Sequence, residues 1–341
     1  MGVDLRGLTN PKKISLNDLS GRVVAIDAYN VLYQFLSSIR NYSGELFTDR
    51  NGNVTSHLSG LFYRNINLMS LGIKLIYVID GKPSALKSKE IERRRAIKKK
   101  ATIMYEQSLS QGKNDEARKY AQATSIIKED MINDAKKLLD LLGIAWIQAP
   151  SEGEATASYL TIIGKATDTG SQDYDSLLFG AQRLLRNVTT SGKRKLPGKP
   201  VYVNVEPEEI NLNNVLNNCK ITREQLIDIG ILLGTDFNPD GFKGIGPATA
   251  IKFIQKYSKI ENIPQIQKEL SDIDYESIRK EFLNPQVINP TNLKWNPINQ
   301  DGLISFLCNE RDFSIDRVKK SLEKVNSVEN SKTDRLDKWF Q

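Results

Sequence analysis

GRVVAIDAY (residues 21–29) and IKLIYVIDG (residues 73–81) are two short apolar runs, and each leads into an aspartate, Asp27 or Asp80. Short continuous runs of β-branched and aliphatic residues are typical of strands buried on both faces of a parallel sheet. In open α/β sheets, ligands bind at the carboxyl ends of such strands. We therefore predict an α/β fold with a central, mostly parallel sheet, flanked by helices, that carries an aspartate at the end of two strands.

Three further runs predict the remaining strands. IAWI (144–147) is a third strand, and RLLRNV (183–188) and PVYVNV (200–205) continue the same sheet. Ser151 is predicted to N-cap a helix that ends near Ile163, because serine is a favoured N-cap residue.

The chain becomes helical in pattern after residue 206. Thr222 and Gln225 form a capping box for a helix that ends near Gly234. GIGPATA (244–250) is a glycine-bracketed turn that opens a second helix. We find no internal repeat.

Composition excludes several classes of protein. Only two cysteines, Cys219 and Cys308, and one histidine, His57, occur in the 341 residues. Disulfide scaffolds, Cys-rich zinc sites and two-histidine chemistry are therefore excluded. No apolar run reaches the ~18 residues of a membrane span, and MGVDLRGLTNPKK lacks the apolar stretch of a secretory signal. We expect a monomer without a membrane partner, in the cytoplasm or the nucleus.

Positive charge is concentrated in one segment. The formal net charge of the chain is +7, and KPSALKSKEIERRRAIKKK (82–100) carries nine Lys and Arg against two Glu, which equals that whole excess. Such a cluster is typical of polyanion binding, while a solvated helix face or a localisation signal would give the same composition. Residues 82–127 have sparse apolar spacing and are predicted to form helices that project from the body.

Acidic residues recur beside apolar runs. They occur at strand ends, helix starts and loops, in APSEGEATA (149–157), QDYD (172–175) and elsewhere: Asp27, Asp80, Glu152, Glu154, Asp173, Asp175 and Asp236. Clustered carboxylates repel one another, and hard divalent cations such as Mg²⁺ or Mn²⁺ are their natural partners. Two such ions ~4 Å apart stabilise the attacking and leaving oxygens of a phosphodiester displacement. Each aspartate alone is also explained as a helix cap or turn residue, but that explanation does not account for the recurrence of seven.

GIGPATA fits the pattern of a helix–hairpin–helix turn. Gly244 and Gly246 let backbone N–H groups approach a phosphate, and the second helix presents its positive end. Lys243 and Lys252 flank the turn. Because phosphate contacts do not read base sequence, we predict DNA binding that is independent of sequence.

Taken together, these motifs resemble the flap endonuclease family of structure-specific 5′ nucleases. The resemblance covers nearly the whole chain and is carried by MGVDLRGL, VAIDAYNVLYQFL, TSHLSGLFYR, YVIDGKPSALKS, APSEGEA, QDYDSLLFG and LLGTDFNPDGFKGIGP. It implies a PIN-like nuclease core with a helical arch at about 82–127 and a helix–three-turn–helix at about 222–257. It also implies an N-terminal nuclease region at 1–105 and an internal region at 122–258, within one structural body.

The resemblance also implies the roles of particular residues. The metal ligands of the family fall on all seven carboxylates named above, with two Mg²⁺ per active site. The catalytic basic pair falls on Lys87 and Arg94, beside Asp27 and Asp80, and the base-stacking tyrosine on Tyr33. The helix–three-turn–helix, with Lys243, Gly244, Gly246 and Lys252, grips duplex DNA, where K⁺ can bridge to a phosphate. Gly2, after removal of the methionine, lies near the site.

The tail is expected to bind a sliding clamp of the PCNA type. The family motif begins with a glutamine and continues with apolar and aromatic anchors; here Leu336, Trp339 and Phe340 supply the anchors, and Thr333 replaces the glutamine. An ordinary amphipathic tail is the alternative for residues 330–341. The short chain, without a long basic extension, indicates an archaeal enzyme.

The implied activity is cleavage of a 5′ flap near the flap–duplex junction, with 5′–3′ exonuclease activity, in Okazaki fragment processing and DNA repair. Two alternatives stay open: a 5′ exonuclease or bubble-cutting nuclease of the same superfamily, and a non-catalytic junction binder that loads a clamp. The compact arch favours flap over bubble cutting. Seven intact carboxylates argue against a pure binder, because negative charge repels phosphate.

Overall fold

A mixed sheet of seven strands forms the centre of the computed structural model, which describes residues 2–41, 43–190, 192–195 and 202–325. In the order β1-β9-β6-β5-β2-β3-β4, neighbouring strands are hydrogen-bonded, and the four pairs among β6, β5, β2, β3 and β4 are parallel. Only β9 runs antiparallel to its neighbours. The predicted central, mostly parallel sheet is therefore confirmed.

The strands of the described residues are β1 (Lys12–Lys13), β2 (Val23–Asp27), β3 (Lys74–Ile79), β4 (Ala145–Gln148), β5 (Asp168–Gly170), β6 (Arg183–Arg186), β7 (Gly192–Lys195), β8 (Tyr202–Val205) and β9 (Glu208–Asn211).

The α-helices are α1 (Ala28–Ser38), α2 (Ser56–Ser70), α3 (Ser88–Ser110), α4 (Asn114–Ala121), α5 (Glu129–Leu141), α6 (Gly153–Ile162), α7 (Asp175–Leu178), α8 (Leu212–Cys219), α9 (Arg223–Leu233), α10 (Pro247–Tyr257), α11 (Gln267–Leu270), α12 (Tyr275–Leu283) and α13 (Gln300–Leu303). A π-helical turn follows over Ile304–Glu310, and a last helix occupies residues 315–325.

Alternation along the central strands separates two hydrophobic layers. In β3, Leu75 and Tyr77 pack with the helices α1, α2 and α5, whereas Ile76 and Val78 pack with α6. A strand presents successive side chains to opposite faces, so both faces of β3 are buried. The near-continuous apolar run of the sequence follows from this double burial.

Several details of the strands differ from the sequence prediction, and β1, β7 and β9 were not predicted. The described part of the predicted strand PVYVNV, Tyr202–Val205 (β8), does not extend the main sheet, because it pairs with β7 in a separate two-stranded sheet. Strand β5 was not predicted: it is only three residues long, and its sequence DTG has no apolar side chain. Its pairing with β2 and β6 comes from the tertiary fold.

The helix after β4 begins later than predicted. Glu152, not Ser151, occupies the N-cap position of α6, with an extended backbone. The carbonyl oxygen of Ser151 accepts a hydrogen bond of 2.7 Å from the N–H of Gly81, the second residue after β3. This bond ties Ser151 to the sheet, so the helix starts beyond it.

The helices predicted within residues 82–127 and after residue 221 are confirmed, but residues 208–211 form strand β9 where the pattern after residue 206 was expected to be helical. Ser88–Ser110 and Asn114–Ala121 form a helical pair within residues 82–127. The capping box of Thr222 and Gln225 is present at the start of α9, and Gly246 is the N-cap of α10.

None of the helices in the described part of the chain has both the length and the apolar character that a membrane span requires. The predicted clamp-binding residues Leu336, Trp339 and Phe340 lie outside the described residues.

Candidate active site

The carboxyl ends of three neighbouring parallel strands bring distant carboxylates together. Asp27 ends β2 and caps α1, its Oδ1 accepting the N–H of Asn30 at 3.1 Å. Asp80 follows β3 and accepts the N–H of Gly153 at 2.6 Å. This second bond fixes the end of β3 against the start of α6, where Glu152 and Glu154 lie.

The short strand β5 delivers the next two carboxylates to the same edge. Asp173 follows it, and Asp175 is the first residue of α7. Asp236 reaches the cluster from the loop between α9 and α10, and its charge acts on Asp175. The predicted pairs in APSEGEATA and QDYD thus lie in one cluster, since the charges of Asp173 and Asp175 act on Glu154 and the charge of Glu152 acts on Asp80.

Burial and mutual repulsion shift several of these carboxyl groups. Burial, then the charge of Asp80, raises the pKa of Asp27 well above its ordinary value. Burial, then Asp173 and Asp175, does the same to the pKa of Glu154. Because each of these carboxylates raises the pKa of the others, the buried cluster carries more negative charge than it can stabilise without a cation.

Two members have pKa values in the physiological range. Burial and the charge of Glu152 raise the pKa of Asp80 to about 6. Burial and the charge of Asp236 raise the pKa of Asp175 to about 7. A bound cation would lower both pKa values by stabilising the ionised forms.

Two basic side chains from the foot of the arch contact the cluster. The ammonium group of Lys87 forms an ion pair with Glu152 and lies 3.3 Å from Asp236. Nη2 of Arg94 donates to both carboxylate oxygens of Asp236 at 2.8 Å. Burial raises the pKa of Asp236, but Lys87 and Arg94 outweigh it and hold that pKa below its ordinary value.

Several polar groups that support the carboxylates were not singled out in the sequence. Nδ2 of Asn30 donates to Asp173 at 2.9 Å. The hydroxyl of Ser171 donates to Glu154 at 3.0 Å, and Ser176 donates to the same oxygen. In the sequence, Asn30 could have been identified by its position three residues after Asp27, in the first turn of α1. Ser171 and Ser176 have no sequence signal other than their proximity to QDYD.

The backbone of the N-terminal segment also contacts the carboxylate cluster. The N–H of Val3 donates to Asp175 at 2.7 Å, and the N–H of Gly2 lies 3.3 Å from Asp173. A Cβ on Gly2 would lie 2.6 Å from the carboxylate of Asp175. The chain therefore needs glycine here to approach the carboxylates closely.

The donor set fits hard divalent cations. All seven candidate ligands are carboxylates, which suit Mg²⁺ or Mn²⁺ rather than zinc. Within the described ranges, no three His, Cys, Asp or Glu side chains converge tightly enough to hold one ion as they stand. Lys87 and Arg94 instead neutralise Glu152 and Asp236, so these carboxylates would exchange ammonium and guanidinium partners for a metal ion.

Comparison with known proteins decides the family. The XPG N-terminal domain matches residues 4–101, and the XPG I-region matches residues 143–236. The flap endonuclease 1 of Nitrosopumilus maritimus is 51% identical, with 100% of both chains covered. The chain belongs to the flap endonucleases of the XPG family. It is a 5′ flap nuclease, and the predicted enzyme class is confirmed.

Other relatives agree with this assignment. The flap endonuclease 1 of Pyrococcus abyssi is 50% identical, covering 100% of this chain and 98% of the relative. The solved flap endonuclease-1 of Methanococcus jannaschii superposes with a TM-score of 0.75 at 38% identity, covering 97% of this chain and 100% of that chain. These relatives are archaeal, and the predicted PIN-like nuclease fold is confirmed.

Tyr33, which the resemblance predicts to stack on a base, lies on α1, six residues after Asp27. Its side chain is 36% exposed. The ammonium group of Lys98 from α3 lies 4.6 Å from the centre of the tyrosine ring and 3.3 Å from its hydroxyl. The arch therefore contacts the ring that the resemblance assigns to a DNA base.

The glycine turn predicted at GIGPATA (244–250) lies on the surface between α9 and α10. Gly244 has a positive φ of 81°, and a Cβ at Gly244 or Gly246 would meet nothing within 4 Å. Lys243 and Lys252 are both exposed beside it. This open, positively charged turn is connected to the carboxylate cluster through the loop that carries Asp236.

Proposed function

We propose that this flap endonuclease hydrolyses a DNA phosphodiester near the junction of a 5′ flap and a duplex, with two divalent metal ions held by the carboxylate cluster. The observation that supports this most directly is the set of seven carboxylates at one sheet edge, with raised pKa values for Asp27, Glu154 and Asp175. Buried anions that raise one another's pKa are stabilised by cations, and perturbed pKa values cluster at functional sites.

The proposed metal ligands are Asp27, Asp80, Glu152, Glu154, Asp173, Asp175 and Asp236. When bound, Mg²⁺ or Mn²⁺ would lower the pKa of the attacking water and stabilise the charge that develops on the phosphodiester. Asn30, Ser171 and Ser176 orient the carboxylates by donating hydrogen bonds to Asp173 and Glu154.

Lys87 and Arg94 are proposed to bind the scissile phosphate. Both cations lie at the carboxylate cluster. A fixed positive charge that strengthens its contact as the phosphoryl charge develops lowers the activation free energy. We therefore expect Lys87 to contribute more to the cleavage rate than to DNA affinity.

DNA would be positioned by two further surfaces. Tyr33 supplies an exposed ring on which a base can stack. Lys243, Gly244, Gly246 and Lys252 would contact the phosphates of the duplex, where K⁺ can bridge to a phosphate. These contacts follow backbone shape, so the enzyme is proposed to select structure rather than sequence.

The wider role is proposed from the family. We propose 5′–3′ exonuclease activity and a role in replication, including Okazaki fragment processing, and in repair, as a monomer in the cytoplasm of an archaeal cell. A sliding clamp is the proposed partner of residues 330–341 through Leu336, Trp339 and Phe340. The proposed organisation is an N-terminal nuclease region at 1–105 and an internal region at 122–258.

The test is cleavage of a 5′-flapped duplex in Mg²⁺ and in chelator by wild type and Asp27→Asn. The amide oxygen of the variant can still accept the N–H of Asn30, so α1 keeps its cap. We expect the variant to lose at least roughly a hundredfold in rate while DNA binding changes little. Asp272→Asn, which alters an exposed aspartate, is the matched control.

Three outcomes would contradict parts of the proposal. Full activity of Asp27→Asn would remove Asp27 from the metal site. Faster cutting of nicked or bubble duplexes than of the flap, with the products mapped, would assign an exonuclease or bubble nuclease. Metal-independent junction binding without cleavage would assign a binding protein.

A further inference from the structure

Glu90 is a buried acidic residue at the foot of an otherwise exposed helix. It lies in the first turn of α3 and is 4% exposed, whereas Glu92 and Arg93 on the same helix are exposed. Its Oε1 accepts a hydrogen bond of 2.7 Å from Nε of Arg94, one helical turn later. Its Oε2 is buried without a hydrogen-bond partner among the described residues, and Nη1 of Arg93 lies 3.5 Å from it.

The guanidinium group of Arg94 therefore donates hydrogen bonds to two carboxylates, those of Glu90 and Asp236. Nε contacts Glu90, which belongs to the same helix, and Nη2 contacts Asp236, which belongs to the carboxylate cluster. The two contacts fix both the position and the plane of the guanidinium group.

A metal ion bound at the site would weaken the contact with Asp236 but not the contact with Glu90. Asp236 is one of the proposed metal ligands, and a carboxylate that binds a metal ion gives up part of its attraction for a neighbouring cation. Glu90 is not a proposed ligand and moves together with Arg94, because both lie on α3. Its hydrogen bond therefore survives the exchange of partners at Asp236.

We propose that Glu90 is a positioning residue that holds Arg94 over the scissile phosphate once Asp236 has been taken up by a metal ion. This inference rests on the proposed function of Arg94 as a phosphate-binding group. Glu90 touches neither the phosphate nor the metal and acts only through the orientation of Arg94.

Helix stabilisation alone does not explain the burial of Glu90. An exposed Glu–Arg pair at this spacing contributes little to stability, and a buried carboxylate with one unbonded oxygen is costly. The position is better explained by its effect on Arg94, because loss of the Glu90 contact would free the guanidinium group to rotate about its flexible stem.

The test is a double-mutant cycle in single-turnover cleavage of a saturating 5′ flap. Glu90→Ala is expected to lower the rate roughly tenfold to a hundredfold, the usual effect of a misplaced catalytic group. Glu90→Gln, whose amide oxygen can still accept from Nε, is expected to lose less. In the Arg94→Ala background, Glu90→Ala is expected to have little further effect, because both changes remove the same contact. Glu92→Gln is the matched control on the same helix and is expected to match wild type.

A second measurement is made without metal or turnover. In the ¹⁵N-labelled metal-free protein, the Nε–H signal of Arg94, assigned by its loss in Arg94→Ala, is expected to be protected from exchange. It should be weaker or shifted in Glu90→Ala and retained in Glu90→Gln. Thermal unfolding of each variant checks that the fold is intact.

The outcomes separate this inference from the proposed function. If Arg94→Ala cleaves as fast as wild type, the role proposed for Arg94 fails. If Arg94→Ala is slow but Glu90→Ala slows it further by the same factor as in wild type, Glu90 acts independently and the positioning role is overturned. An unaltered rate in Glu90→Ala overturns it as well.

Discussion

Asp175 combines a structural contact with an unfavourable charge. Its carboxylate accepts the N–H of Val3 at 2.7 Å, yet burial and the charge of Asp236 raise its pKa to about 7. An unfolded aspartate has a pKa of about 3.9. The folded, metal-free protein therefore binds this proton more tightly than the unfolded chain does. It follows that the contribution of Asp175 to the free energy of unfolding is present below about pH 4 and is lost as the pH rises through about 7.

Asp175→Asn should remove this pH-dependent loss of stability. In chelator, we expect the melting temperature of the variant to rise relative to wild type between pH 5 and pH 8, by several degrees at the upper end. Mg²⁺ should stabilise wild type more than the variant, because binding to the folded state alone shifts unfolding. Asp272→Asn should follow wild type. Parallel melting curves for Asp175→Asn and wild type over this pH range would contradict the prediction.

The arch helix α3 differs from the body helices in how it is anchored. Of its 23 residues, only Glu90, Ala101 and Ser108 are buried, whereas nine of the 15 residues of α2 are. Helices with few buried side chains open locally at a low free-energy cost. The ion pairs of Lys87 and Arg94 at its foot are the contacts that tie it to the carboxylate cluster.

Hydrogen exchange should reveal this difference between elements. We expect the amides of α3 beyond residue 95 to exchange faster than those of α2, because fewer buried contacts must break. A bound 5′-flap DNA, added in chelator to prevent cleavage, should slow exchange in α3 and leave α2 unchanged. Equal protection of the two helices in the free protein would contradict the prediction.

On the scale of the whole molecule, the charge is divided between a negative centre and positive surfaces. Seven carboxylates lie together at the sheet edge, while the chain as a whole has a formal charge of +7. Lys87 and Arg94 contact this centre, whereas the other lysines and arginines of segment 82–100, and those beside the turn before α10, lie outside it. DNA is therefore attracted by the periphery, and cations are needed before a phosphate can approach the carboxylates.

The salt dependence of DNA binding tests the peripheral contacts. Each phosphate contact contributes about −0.9 to the slope of log affinity against log salt. Lys252→Ala should therefore weaken binding of flapped DNA in chelator and reduce the magnitude of the slope by about one. Lys268→Ala alters an exposed lysine on α11, outside the proposed binding surface, and should leave the slope unchanged. The same slope in Lys252→Ala and wild type would remove Lys252 from the phosphate contacts.

Local sequence determined the elements that depend on neighbouring residues alone. The strands that end in Asp27 and precede Asp80, the capping box of Thr222 and Gln225, and the glycine turn before α10 all follow from short patterns. A strand needs a short apolar run that can be buried, a helix start needs a capping residue, and the turn needs a glycine with a positive φ. These are properties of a few adjacent residues. The recurrence of seven carboxylates beside apolar runs was also visible in the sequence, and the family resemblance assigned to them the role of metal ligands.

Tertiary structure alone decided the contacts between distant parts of the chain. Strand β5 exists because β2 and β6 pair with it, and β8 pairs with β7 although its apolar pattern resembles that of the strands in the main sheet. Asn30 meets Asp173 across 143 residues, and Arg94 meets Asp236 across 142. Such pairs leave no periodic pattern in the sequence, because they depend on how the sheet edge, helix α3 and the loop before α10 pack against one another. The sequence therefore predicted the carboxylates, and the tertiary structure decided that Lys87 and Arg94 form ion pairs with them in the metal-free protein.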